Sequence, residues 1–248
     1  MSSPATLSTQ IAGHITNSIA RNSLVKEPFP YLITDNALPP DIFARLIADL
    51  PAISDLRPMS QIGLRNVAQY DKHVTALFED IPGRRDPDVW AQVARALLDM
   101  SVENLLREIF SPFVPVARDR RDLIREVRLD CGQVGAFLEP HTDSPVVLMK
   151  SLLHLSPETS HPTADTVLFR PKDPEARRKR LGERGDFSPA SYAHESAGDQ
   201  AEAARVKFRP NRMWSFFRTA DSLHGLDPLA EEVAPRYIVA AHYRFVHA

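Results

Sequence analysis

Four side chains stand out for chemistry: His141, Asp143, His224 and Arg236. His141-Thr142-Asp143 follows Glu139-Pro140 at the end of an expected strand. In extended backbone, residues two apart face the same way, so one imidazole and one carboxylate project together. His224 comes much later, in Ser222-Leu223-His224-Gly225, after the apolar run Met213 to Phe217. Two imidazoles and a carboxylate on one face of a metal suit a non-haem ferrous ion and leave coordination positions open for small ligands. Arg236 opens the last apolar segment, and its planar guanidinium matches a carboxylate. H-x-D alone is a weak signal. The ordered set of all four is much stronger.

The elements that must carry these residues fall into two halves. Pro28 to Ile33 is expected to be a first strand, preceded by a Ser/Thr-rich arm or short helix over residues 1–27. Pro39-Pro40 introduces a helix, with Ile42, Phe43, Leu46, Ile47 and Leu50 on one face. Asp86 to Phe110 is the longest helical pattern, capped by Asp86 or Asp88. Helical support therefore covers about 39–110. From about 120 the period shortens. Short strands are expected at Leu123–Asp130, Gly135–Glu139, Val146–Leu155, Thr166–Phe169, Arg205–Phe208, Arg212–Phe217 and Arg236–Val246. The pattern predicts helices packed outside a β-sandwich or barrel that spans about 120–248. The charged stretch 171–204 reads as a solvated insertion or a lid.

Composition excludes several classes. The 248 residues carry 30 basic and 32 acidic side chains and a formal charge of -2, which disfavours a dedicated nucleic-acid binder. The single cysteine, Cys131, forbids an intrachain disulfide or a cysteine-based zinc cluster and points to a reducing, cytoplasmic setting. No apolar run approaches the ~20 residues of a membrane span. Glycine is scarce (9 residues) and proline frequent (21), and neither glycine-rich nucleotide motif occurs.

The text around these residues resembles the 2-oxoglutarate and Fe(II)-dependent oxygenases, in the prolyl-4-hydroxylase-like branch. The resemblance runs over about 28–246. It is carried by Pro28 to Pro40, by Cys131-Gly132-Gln133 through Pro140-His141-Thr142-Asp143, by Ser151 to Leu155, and by Asn211-Arg212 through His224-Gly225 to Arg236-Tyr237. It implies a single domain over 28–248, mainly β with flanking helices, built on a double-stranded β-helix (a jelly-roll, cupin-like core). It implies Fe(II) on His141, Asp143 and His224, and 2-oxoglutarate with its distal carboxylate on Arg236. O2 would then hydroxylate an unactivated C–H of a small molecule or peptide-like metabolite, releasing succinate and CO2. Asp143 disfavours halogenation, because related halogenases carry a small residue at that position. Ile238 replaces the serine that many members have two positions after the arginine, and His154 stands where a tyrosine contacts the cosubstrate.

His154 and Gln133 are therefore candidate partners of Arg236, with a hydrogen-bonded core histidine as the other reading of His154. Arg128 and Arg244 are either cations for an anionic substrate or solvent-facing strand arginines, and Lys150 either enters the cavity as a substrate contact or is a snorkelling edge lysine. His73, His161, His194 and His242 match no motif and are expected to be structural or superficial. Cys131 is expected to be buried and inert. Two other functions stay open: a non-catalytic jelly-roll that senses a metabolite or metal, and a protein hydroxylase of the prolyl type.

Overall fold

The computed structural model describes residues 6–59, 73–77, 87–118, 122–155, 162–184 and 195–246. In chain order the helices and strands are α1 (Leu7–Ala20), β1 (Tyr31–Thr34), α2 (Pro40–Ala48), β2 (Arg57–Pro58), β3 (His73–Leu77), α3 (Pro87–Leu97) and α4 (Met100–Phe110). The second half holds β4 (Leu123–Gly132), β5 (Leu138–His141), β6 (Val147–Leu155), β7 (Thr166–Pro171), α5 (Pro174–Arg184), β8 (Gln200–Val206), β9 (Met213–Phe217), β10 (His224–Leu226) and β11 (Arg236–Phe245).

Strands β4 to β11 divide between two sheets. The larger runs β1-β9-β6-β11-β4-β3-β2 and the smaller β5-β10-β7-β8, with every pairing antiparallel. The chain changes sheet at each step from β4 to β11 except between β7 and β8. This connectivity is the double-stranded β-helix, or jelly-roll.

Strand alternation assigns the two faces of the large sheet. Val127, Leu129, Cys131, Tyr237, Val239, Ala241 and Tyr243 join the main core, where helix residues such as Ile11, Ile15, Trp90 and Leu106 meet them. Tyr243 donates to the Leu97 carbonyl at 2.6 Å, and Tyr237 to the Pro51 carbonyl at 2.7 Å. These bonds satisfy the polar tips of rings that are otherwise buried. The opposite face carries Arg128, Asp130, Lys150, Leu152, Arg236, Ile238 and His242 into the space between the sheets. The helices therefore stiffen one face, and the chemistry lies on the other.

Several expectations change. The N-terminal segment expected as an arm or short helix forms α1, whose Ile11, Ile15 and Ile19 are fully buried against the core. The long helix over Asp86–Phe110 is two helices. Asp99 ends the first and caps the second, its carboxylate accepting from the Ser101 amide at 2.8 Å. Asp86 and the side chain of Asp88 lie outside the described residues. The stretch 171–204, expected as a solvated insertion or a lid, carries regular structure on both sides of the undescribed residues. Asp173 caps α5, accepting from the Ala176 amide at 2.9 Å, and β8 already begins at Gln200. Arg177 ties α5 to the loops, donating to Glu195 at 2.7 Å and Asp221 at 3.2 Å. Residues 185–194 are outside the described set, as are His161 and His194.

Candidate metal centre

Strand β5 ends at His141, and β10 begins at His224. The two are cross-strand partners in the small sheet, with ring centroids 4.5 Å apart. His141 Nδ1 donates to the Glu139 carbonyl at 2.8 Å, and His224 Nδ1 donates to the Ser222 carbonyl at 2.9 Å. A proton committed to Nδ1 leaves the lone pair on Nε2 and fixes the ring's orientation. Asp143 follows two residues after His141. Ligand atoms of the three residues all lie within 4.8 Å of one another.

Electrostatics set the protonation states. Burial lowers the His141 pKa to about 3, with the neighbouring His224 adding to the effect. Burial lowers His224 as well. For Asp143, burial raises the pKa, but Lys150, His224 and His141 outweigh it and hold the carboxyl at about 2. The site at neutral pH is thus two neutral imidazoles and one carboxylate. Lys150 donates to Asp143 Oδ1, whereas the buried Oδ2 has no hydrogen-bond partner. A buried carboxylate oxygen without a donor is costly, and a divalent cation would satisfy it. The donor set, two nitrogens and one oxygen with positions left over, fits a ferrous ion.

The triad lines a cavity of about 140 Å³ between the sheets, and Arg236 lines the same cavity. Its Nε donates to the Ala164 carbonyl at 2.8 Å and its Nη2 to Thr166 Oγ1 at 3.3 Å, which fixes the guanidinium plane. The Arg236 guanidinium carbon lies over the Phe208 ring, 4.7 Å from its centroid. Burial lowers the Arg236 pKa to about 10, so the group stays cationic at neutral pH.

The other expected residues divide. Arg128 and Lys150 line the cavity. His154 is fully buried, both ring nitrogens lack hydrogen-bond partners, and its ring packs 4.6 Å from Phe208. It reaches Arg236 through that shared ring rather than by a direct bond. Gln133 sits in the turn after β4, and neither it nor His154 is among the described residues that line the cavity. His73 and His242 do line it, as does Thr166. His242 accepts from Arg128 Nη2 at 3.0 Å. Its place was readable from the alternation Arg236, Ile238, Ala240, His242, but no motif singled it out. Cys131 is buried, and burial pushes its thiol up to about 12, in line with an inert group. Among the described residues, no helix is long and apolar enough to cross a membrane.

No family model and no curated protein sequence matches the chain. Solved structures do. A prolyl hydroxylase from Trichoplax adhaerens, in complex with a hypoxia inducible factor peptide fragment, is 14% identical with a TM-score of 0.49 and covers 95% of this chain and 89% of its own. A Pseudomonas putida prolyl-4-hydroxylase is 13% identical with a TM-score of 0.46, covering 95% and 98%. HygX from Streptomyces hygroscopicus, with nickel and 2-oxoglutarate bound, is 12% identical with a TM-score of 0.47, covering 87% and 83%. The solved structures to which this chain is similar are thus prolyl hydroxylases and other 2-oxoglutarate-dependent Fe(II) oxygenases, at low identity.

Proposed function

We propose that this chain is an Fe(II)- and 2-oxoglutarate-dependent dioxygenase that hydroxylates an unactivated C–H of a small molecule or peptide-like metabolite. One observation carries the reading. A buried His-Asp-His group with an unpartnered carboxylate oxygen shares a cavity with an oriented, buried arginine. Bound ferrous iron and 2-oxoglutarate would supply the oxidising chemistry, with succinate and CO2 as products of the cosubstrate.

The chain's own residues supply position and charge. His141 and His224, kept neutral, present Nε2, and Asp143 presents its unpartnered Oδ2. Arg236 offers its planar fork to the distal carboxylate of the cosubstrate. Thr166 and the Ala164 carbonyl hold that fork in plane, and His154 backs it through Phe208. Trp214, Leu152 and Leu138 give the cavity apolar walls that exclude water. The single buried thiol suits a reducing, cytoplasmic compartment.

Succinate formation that requires both added Fe(II) and 2-oxoglutarate tests the reading. A weak visible band on anaerobic addition of both is the expected binding signature. Asp143→Ala should abolish turnover and the band. Wild-type turnover by that variant would overturn the proposal.

A further inference from the structure

Three neighbouring strands of the large sheet bring cations to the cavity beside the metal ligands. In register, Arg128 on β4 lies opposite Ala240 on β11, which lies opposite Leu152 on β6. One pleat further along, Glu126, His242 and Lys150 form the next row. The small side chain of Ala240 leaves space between Arg128 and the β6 side.

Neither cation is saturated by the protein. Arg128 Nη2 donates to His242, but its buried Nε has no hydrogen-bond partner, with Glu126 at 3.5 Å and Asp130 at 4.0 Å. Asp130 is already engaged, accepting from Thr75 Oγ1 at 2.6 Å. Lys150 pairs with Asp143, a carboxylate that a divalent cation would claim. His242 adds no charge, because burial and the adjacent Lys150, Arg128 and Arg244 hold it neutral.

Charge counting then decides. The cavity lining holds three cations, Arg128, Lys150 and Arg236, against two carboxylates, Asp130 and Asp143. A ferrous ion and a dianionic 2-oxoglutarate cancel each other. Glu126, 3.5 Å from Arg128, is already taken by Arg244 at 2.9 Å, so one positive charge is left at the cavity lining, where an uncompensated charge is costly. A monoanion on the substrate would remove that cost, whereas a doubly charged group would overshoot it.

We propose that Arg128 and Lys150 form the recognition site for a carboxylate on the substrate, so that the molecule oxidised at this centre is an acid. This inference rests on the oxygenase reading above. It names two specificity-determining residues and one substrate class. Lys150 exchanges part of its pairing with Asp143 for the incoming carboxylate once the metal is bound, and Arg128 contributes its guanidinium at the cavity lining.

The test uses the full chain, loaded anaerobically with Mn(II) and 2-oxoglutarate. Phenylacetate and phenylacetamide are matched in shape and differ in charge, and each is titrated calorimetrically. Phenylacetate should bind at least about tenfold more tightly than the amide, as expected when a carboxylate meets charged donors. Arg128→Gln and Lys150→Met should each erase most of that difference. Equal affinity of the two probes for the wild-type protein, or binding of neither, overturns the inference without relying on any variant. A preceding 2-oxoglutarate titration separates the two claims. If 2-oxoglutarate does not bind in a Mn(II)-dependent way, the oxygenase reading falls first. If it binds and the probes are not distinguished, only the acid-substrate inference falls.

Discussion

Asp143 is the residue on which the site turns, because its two oxygens do different work. Oδ1 is held by Lys150, and Oδ2 is buried and unpartnered. Asp143→Asn keeps the shape but removes the charge and places a donor or a weaker acceptor at the metal position. Mn(II) affinity, measured by titration of the apo-protein, should fall by more than about a hundredfold, beyond the range seen when only a supporting partner is lost. Unchanged affinity would mean that the carboxylate is not a ligand. The three candidate ligands were legible because His141 and Asp143 are two residues apart at one strand end, and His224 follows the fully buried strand β9. Arg236 was legible as the first residue of the last strand. His242 was readable only from the alternation along the last strand, and His73 and Thr166 were not legible. The last two reach the cavity through cross-strand register, which no local spacing encodes.

At the scale of elements, legibility followed periodicity. The alternation from Leu123 to Asp130 announces β4 because one face is buried and the other is not. By contrast, α5 has only charged and small residues except Leu181, so it carries no apolar stripe, although Asp173-Pro174-Glu175 is a helix-start signal. Strand β10 is three residues long and too short to show a period, yet it positions His224. Gly225 explains how so short a strand holds its place. A Cβ there would lie 2.6 Å from the Leu138 carbonyl oxygen and 3.1 Å from the Phe169 ring. Gly225→Ala must therefore push β10 away from β5 and move His224 relative to His141. Thermal melts should show a lower Tm, and Mn(II) titration a weaker Kd. Gly13→Ala serves as the opposite case. Nothing lies within 4 Å of that Cβ position inside α1, so the variant should be neutral or stabilised by up to about 1 kcal/mol. Equal Tm and Kd for Gly225→Ala and the wild type would show that the close approach does not position the ligand.

For the molecule as a whole, the two sheets enclose an unusual concentration of histidine. His73, His141, His154, His224 and His242 are all buried on the inner side of the jelly-roll. Burial is the leading cause lowering the pKa of each. Each ring is therefore neutral when folded but free to take a proton near pH 6.5 when unfolded. The unfolded chain binds more protons below that pH, so the stability each neutral ring contributes is full above about pH 6.5. It is lost as pH falls from there toward the folded values. Each histidine contributes a slope of at most about 1.4 kcal/mol per pH unit while its ring stays neutral in the folded state, and all five act in the same direction. Total stabilities are only about 5–15 kcal/mol, so the apo-protein should lose a substantial share of its stability as pH falls below about 6.5. The near-neutral overall charge of the chain gives no hint of this, because the effect comes from burial rather than from charge balance. Urea midpoints measured from pH 8 to 5 on apo-protein should be flat above about pH 7 and then fall steeply. Saturating Mn(II) should hold the midpoint up further into acid, because an ion bound only by the native state resists protonation of His141 and His224 and adds binding free energy to folding. A midpoint unchanged between pH 7 and 5.5 in the apo-protein would show that these rings are not held neutral, and neutral rings are what the metal site requires.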